Sequence, residues 1–384
     1  MTIKPSKKQL GFLDWEFGIF FHFGIRTFYE GRTDWDGIPM DAAAFDPKKL
    51  DCRQWIRTAK NAGARYAVFT AKHHDGFANW DSAYTEYSVK NTPLKGRDIV
   101  REFTEACREY GLGIGIYYSP AQFGSRTAEN YDDYFIGQIS ELLTNYGKID
   151  YLWFDGCGSE GHEYDKERII KAIRSMQPDI LIFNMWDPDT RWVGNEDGIA
   201  PENNCNIVKS LSFSVLTDEK DGLDEYRFLP AECDCRIREN WFYQDADKNT
   251  LKSLDELKNI YECSVGRGAN LLLNLGPDRN GLIQDDEAER TAELGKWIES
   301  EFGSPKAVFE NSIPDFNDEF SYMILSEDMT DGQHVYSFSI LADGNEIYSG
   351  STIGHKRICR FERIFANEIT IETNAAARIT CMAF

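Results

Sequence analysis

In Tyr151-Leu152-Trp153-Phe154-Asp155-Gly156, four apolar or aromatic residues run straight into an aspartate and a glycine. A short continuous apolar run is the pattern of a strand buried on both faces of a parallel sheet. An acid at the end of such a strand stands where an α/β barrel carries its chemistry.

Working outward, the same pattern recurs. Phe17 to Gly24, Arg65 to Thr70, Leu112 to Tyr118, Ile149 to Phe154 and Ile180 to Phe183 read as strands, separated by amphipathic stretches of helix length at 51–63, 99–110, 130–146 and 165–176. Asp51 and Gln54 have the spacing of a capping box, Gly63 and Gly111 suit helix ends, and Pro178 stops the helix ending at Met176. This alternation predicts βα units around a parallel sheet. From about 185 to 250 the chain turns polar, aromatic and glycine-bearing over a length that predicts functional loops. Order returns with a strand at 228–231, a helix at 254–265, a strand at 270–275 and a helix at 285–302. The expectation is an α/β fold, a (β/α)8-like, TIM-type barrel over residues 1–303. After it, short alternating runs such as Tyr322 to Leu325, Gln333 to Ile340 and Arg357 to Phe361 predict a small antiparallel β-sandwich over 304–384.

Composition narrows the function. The 384 residues are 42% hydrophobic, enough for one large core and a smaller domain. Against 42 Lys plus Arg stand 64 Asp plus Glu, a net charge of −22 that would repel nucleic acid and anionic lipid. No apolar run spans a bilayer, and Met1 to Leu10 lacks an apolar signal core, so the expected location is cytoplasmic; a secreted form without its signal peptide is the alternative. The nine cysteines are scattered, and Cys233-Asp234-Cys235 lacks zinc-site spacing. Reduced buried thiols and no cofactor or metal are expected.

The predicted strand ends present His22, His73 with His74, Tyr117 with Tyr118, Asp155, Asn184, Glu232 and Asn274. A barrel core fills with apolar side chains, so a ring of polar groups at one rim reads as a site. The tandem His73-His74-Asp75 admits a metal only if the strand has already ended, since neighbours on an extended strand face opposite ways. Sugar chemistry is the stronger reading, because the same loops carry Trp35, Trp80, Trp153, Trp186, Trp192, Trp241 and Tyr243. A glycosidase needs two carboxyl groups, one ionised and one protonated. Asp155 fits the first role, with Glu196, Glu202 and Glu232 as candidates for the second.

Four motifs, Phe20-Phe21-His22-Phe23-Gly24, Ala71-Lys72-His73-His74-Asp75-Gly76-Phe77 with Trp80, Trp153-Phe154-Asp155-Gly156, and Gly268-Ala269-Asn270-Leu271-Leu272-Leu273-Asn274-Leu275-Gly276-Pro277, resemble the family 29 glycoside hydrolases. These are retaining exo-α-L-fucosidases built from a barrel and a β-sandwich. The resemblance covers nearly the whole chain in order. Arg191 to Gly198, and Pro230 to Asp234 with Trp241 to Tyr243, resemble the subgroup restricted to α-1,3/4-linked fucose. By motif, the resemblance implies Asp155 as nucleophile and Glu196 as acid/base, with Glu232 the alternative. It implies His22, His73, His74, Trp153 and Trp241 as fucose contacts. Asp34, Trp35, Trp80 and Tyr118 join them as expected substrate-binding residues, Asp34 standing where the family often has glutamate. The implied substrate is a fucosylated oligosaccharide or glycoconjugate; a fucose-binding protein without turnover and a metal-dependent hydrolase are the competing readings.

Overall fold

The computed structural model describes residues 3–31, 38, 40–121, 130–157, 162–214 and 220–384. Its strands in the barrel region are β1 (Phe17–Phe21), β2 (Tyr66–Lys72), β3 (Gly113–Tyr118), β4 (Tyr151–Phe154), β5 (Leu181–Phe183), β6 (Arg191–Trp192), β7 (Ile207–Ser212), β8 (Lys220–Phe228), β9 (Ala231–Arg236) and β10 (Asn270–Leu275). Helices α1 (Lys7–Leu13), α2 (Cys52–Asn61), α3 (Ile99–Tyr110), α4 (Tyr131–Asn145), α5 (Lys166–Met176), α6 (Leu254–Ser264) and α7 (Asp285–Phe302) accompany them.

Eight of these strands form one sheet in the order β5-β4-β3-β2-β1-β10-β9-β6, and every paired neighbour in it is parallel. A parallel bridge between Phe183 and Thr190 joins the two ends, so the expected barrel forms and nearly closes. Its interior is filled by aromatic rings, among them Phe20, Tyr66, Tyr117, Tyr151, Trp153 and Phe183. Phe12 of α1 plugs one end, packing edge-on against Tyr151. A larger apolar layer lies between the strands and the outer helices.

Local signals act largely as read. Asp51 caps α2 by accepting from the N–H groups of Arg53 and Gln54, and Gly111 ends α3 in the left-handed region at φ 69°. The Asp51–Gln54 pair is half a capping box, because the Gln54 side chain exchanges hydrogen bonds with the backbone of Ile283 instead. The expected strand at 228–231 is displaced: β8 ends at Phe228, and the barrel strand is β9, Ala231–Arg236. Part of the 185–250 region is ordered as the antiparallel hairpin β7–β8 beside the barrel mouth.

Past α7 come β11 (Ala307–Glu310), β12 (Ser312–Ile313), β13 (Asp318–Glu327), β14 (Phe338–Ala342), β15 (Asn345–Gly350), β16 (Arg357–Ala366), β17 (Ile369–Thr373) and β18 (Ile379–Ala383). They form two antiparallel four-stranded sheets, β11-β18-β13-β16 and β12-β17-β14-β15, around a core including Phe320, Leu325, Phe338 and Ile340. This is the expected sandwich. Arg360 bridges Glu262 and Glu301 of the barrel helices and fastens it to the barrel. No described helix is long and apolar enough to cross a membrane.

Candidate active site

A cavity of about 260 Å³ opens at the C-terminal ends of the barrel strands. Its wall includes His22, His73, His74, Tyr117, Trp153, Asp155, Trp192, Glu196, Asp234, Arg236 and Trp241. Each arrives there by strand geometry. His22 follows β1, His73 and His74 follow β2, and Asp155 follows β4, so each stands within two residues of a strand's C-terminal end. Because β2 ends at Lys72, both imidazoles reach the cavity.

Both oxygens of Asp155 are occupied. Oδ2 accepts from the Tyr117 hydroxyl at 2.8 Å, Oδ1 accepts from the Cys157 N–H at 2.9 Å, and His74 Nε2 lies 3.4 Å from Oδ2. Burial pushes this carboxyl up, but His74 and the donated hydrogen bonds outweigh it and hold Asp155 below the usual aspartate range. It is therefore an ionised carboxylate in a largely enclosed wall. Gly156 is required beside it, since a Cβ there would stand 2.5 Å from the backbone oxygen of Phe213, which follows β7.

Glu196 stands on the loop after β6, its side chain 28% exposed and its Oε2 3.7 Å from Arg236 Nη2. Asn195 braces that loop, accepting from the Asp197 N–H and donating to the Ile199 carbonyl. Asp234 is a third carboxyl group in the wall. Burial, and next the charge of Glu196, push it well above the usual aspartate range, and its Oδ1 accepts from Trp192 Nε1 at 2.7 Å.

His22 is fixed by its neighbour on β10. Its Nδ1 lies 2.6 Å from Asn274 Oδ1, while Asn274 Nδ2 donates to the Trp241 carbonyl. The amide orientation makes Asn274 Oδ1 the acceptor, so Nδ1 carries the proton and Nε2 is left as an acceptor. Burial lowers the His22 pKa to about 3. The His22 ring resonances, identified by their loss in His22→Asn, should therefore keep neutral-imidazole positions from pH 8 to pH 5; a midpoint near the ordinary ~6.5 would contradict this. Burial also holds His73 well below its usual pKa, and among the described residues its enclosed Nδ1 has no hydrogen-bond partner.

The aromatic wall is continuous. Tyr117, Trp153 and Phe183 are register partners on β3, β4 and β5. Trp153 stacks on Phe183 (4.1 Å, 12°) and on Tyr117 (5.3 Å, 22°), and Tyr117 stacks in turn on His73 (5.2 Å, 6°). Both faces of Trp153 are thus covered and an edge remains. Trp241 lies beside His22 (4.9 Å) and under the Arg236 guanidinium (5.3 Å). Gly276 permits this, since a Cβ there would stand 3.1 Å from the Trp241 carbonyl oxygen and 2.9 Å from the Tyr243 nitrogen.

Several sequence expectations need correction. Tyr118 faces the helical layer, where its hydroxyl donates to Gln138, because it lies on the opposite face of β3 from Tyr117. Trp80 is enclosed in the same layer and donates to Glu141. Glu232 is inaccessible, since it is the second residue of β9 rather than a strand end, and it takes hydrogen bonds from Tyr66, Tyr151 and Trp153 beneath the cavity. Glu202 pairs with Arg267 and Arg357 at the junction with the sandwich. Asp34 and Trp35 lie outside the described residues. Asp234, Arg236 and the buried Arg26 are pocket residues that strand-end reasoning missed; for the first two, the alternation of Glu232, Asp234 and Arg236 along one strand face was the available signal. Among the described residues, one set of three side chains, His73, His74 and Asp155, has ligand atoms within 4.8 Å of one another, as a metal site would need. Two of its members are engaged otherwise, His74 Nδ1 with Ser119 Oγ at 2.6 Å and Asp155 Oδ2 with Tyr117.

A profile of the Alpha-L-fucosidase family matches residues 39–301. The chain is 31% identical to Alpha-L-fucosidase 1 of Arabidopsis thaliana, over 93% of this chain and 81% of the plant protein. A glycoside hydrolase 29 family member from an unknown rumen bacterium superposes with a TM-score of 0.88 at 33% identity, covering 100% of this chain and 77% of that one. The structure of SpGH29 gives a TM-score of 0.89 at 29% identity, covering 100% and 98%. With barrel, sandwich and an acid-bearing rim all in place, these matches establish that the chain belongs to the alpha-L-fucosidase family of glycoside hydrolases.

Proposed function

We propose that the chain is a retaining exo-α-L-fucosidase for α-1,3/4-linked fucose, with Asp155 as nucleophile and Glu196 as general acid and base. The observation that carries this reading is the ionised Asp155, held by Tyr117, Cys157 and His74 in the wall of a cavity lined by imidazoles and indoles. The cavity is slightly below the ~300–1,000 Å³ of ordinary ligand sites, a size suited to one sugar ring. His22 Nε2 offers a substrate hydroxyl an acceptor, and the His73 and His74 imidazoles line the same cavity. Trp241 and the Trp153 edge supply apolar surface for the fucose methyl group.

In the first step an Asp155 oxygen bonds to the anomeric carbon as the bond to the aglycone oxygen breaks, and Glu196 gives that oxygen its proton. In the second, water attacks the same carbon, Glu196 takes the proton, and the ester to Asp155 breaks. Two inversions leave the configuration retained. Glu196 suits the acid role because it is partly exposed, whereas Glu232 is sealed beneath Trp153.

The test is release of fucose from Lewis-type trisaccharides, an α-1,2-fucosyl disaccharide and 4-nitrophenyl fucoside. Hydrolysis of the trisaccharides with little action on the α-1,2 disaccharide is expected. The reverse preference would overturn the linkage reading, and binding without any release would favour a fucose-binding protein. Treatment with a strong chelator should leave the rate unchanged; loss restored by added divalent metal would favour metal chemistry at His73, His74 and Asp155.

A further inference from the structure

The carboxylate of Glu232 lies outside the cavity yet touches its architecture. Glu232, Asp234 and Arg236 project inward from β9 in succession, and each meets one indole of the wall. Glu232 Oε1 accepts from Trp153 Nε1 at 2.8 Å, Asp234 Oδ1 accepts from Trp192 Nε1 at 2.7 Å, and Arg236 lies over Trp241. Glu232 is the most committed of the three, because Oε2 also accepts from Tyr66 at 2.6 Å and Oε1 from Tyr151 at 3.2 Å, with the side chain fully buried.

An indole has a single N–H, so this bond sets how Trp153 is rotated within its stack. Trp153 is the middle ring of the series His73, Tyr117, Trp153, Phe183, and Tyr117 donates to Asp155. A turn of Trp153 therefore shifts Tyr117, and with it the donor that orients the nucleophile.

We propose that Glu232 is a positioning residue for the fucosidase reaction, holding Trp153 and through the ring series the Tyr117–Asp155 hydrogen bond. A structural carboxylate would affect stability alone; a positioning one must also affect turnover. Burial raises the Glu232 pKa to about 7, offset in part by the three donors. The groups facing it are Tyr66, Tyr151 with Thr190 beyond it, Trp153, and Asp234 two residues along β9. Burial pushes both phenols and Asp234 well above their usual ranges.

The proposal rests on the fucosidase reading for its kinetic test but not for its spectroscopic one. Glu232→Gln preserves shape but replaces a charged acceptor by a weaker neutral one. Displacements of about 1 Å can slow an enzyme ~10²-fold, so kcat on 4-nitrophenyl fucoside should fall by about 10- to 100-fold, with little change in KM. In a Trp153→Phe background the same change should add little, because the shared contact is already gone. Full multiplication of the two losses, or a Glu232→Gln enzyme with wild-type kcat, would overturn the proposal. Should Glu232→Gln fail to fold, Tyr66→Phe, which removes one Glu232 donor outside the cavity, decides with 15N-labelled indoles. It should shift the Trp153 Nε1–H resonance, identified through Trp153→Phe, and lower kcat with little change in KM; an unmoved resonance or a wild-type kcat contradicts the proposal. A shifted indole in a protein whose wild type shows no turnover would sink the fucosidase reading alone.

Discussion

Replacing Asp155 with alanine is expected to lower kcat on 4-nitrophenyl fucoside by about 10⁴-fold or more, the scale of loss when a covalent nucleophile is removed from an intact site. Asp155 follows β4 and is held by Tyr117, Cys157 and His74 with its pKa depressed, an arrangement suited to a carboxylate that forms a bond. The variant should fold, because the register partners Tyr117, Trp153 and Phe183 all remain. Its affinity for fucose should stay close to wild type, since the imidazoles and indoles of the wall are untouched. Azide added to the variant enters the vacated face and should give β-fucosyl azide. Wild-type turnover would remove Asp155 from the mechanism.

Glu196→Ala should divide substrates by leaving group. Natural glycans leave as poor alkoxides and need the proton, so their hydrolysis should fall by about 10²- to 10⁴-fold. A 4-nitrophenolate departs unaided, so formation of the fucosyl-enzyme should be much less affected, and its breakdown, lacking a base, becomes limiting. Azide needs no base: it should restore the rate and give α-fucosyl azide, because it attacks from the side the aglycone left. Asp234 is the competitor that the fold introduces, a buried acid beside Glu196 pushed well above the usual aspartate range, while Asp155 is held below it. Two carboxyl groups with pKa values pushed apart are the usual mark of a paired acid and nucleophile or base. If Asp234→Asn shows the leaving-group split and azide rescue while Glu196→Ala does not, the acid role passes to Asp234. The hydrogen bond from Trp192 and the nearly complete burial of Asp234 favour Glu196 instead.

Much of the site was legible because residues just past a buried strand have little choice of direction. His22 and Asp155 directly follow apolar runs, His73 and His74 follow the buried strand β2, and all four line the cavity. Side-chain parity was harder to read. Tyr117 and Tyr118 differ only in which face of β3 they take, and the register Tyr117 to Trp153 decides it. The strand β9 was disguised, since Ala231, Cys233 and Cys235 alternate with Glu232, Asp234 and Arg236, and a charged inward face resembles a loop. That face tolerates charge because each side chain has a partner: phenols and an indole for Glu232, an indole for Asp234, an aromatic face for Arg236. Trp80 was misplaced because a tryptophan close to the histidine motif looks like a sugar platform. Here Asn79 donates to the Phe23 and Thr70 carbonyls, and the adjacent indole is buried in the helical layer, donating to Glu141 of α4.

A covalent bond between Asp155 and fucose can be trapped. Incubation with 2-deoxy-2-fluoro-fucosyl fluoride, which forms the glycosyl-enzyme faster than it is hydrolysed, should inactivate the protein with one sugar per chain. Peptide mass spectrometry should place that sugar on Asp155. A label on Glu196 or Asp234, or inactivation without a covalent adduct, would contradict the account.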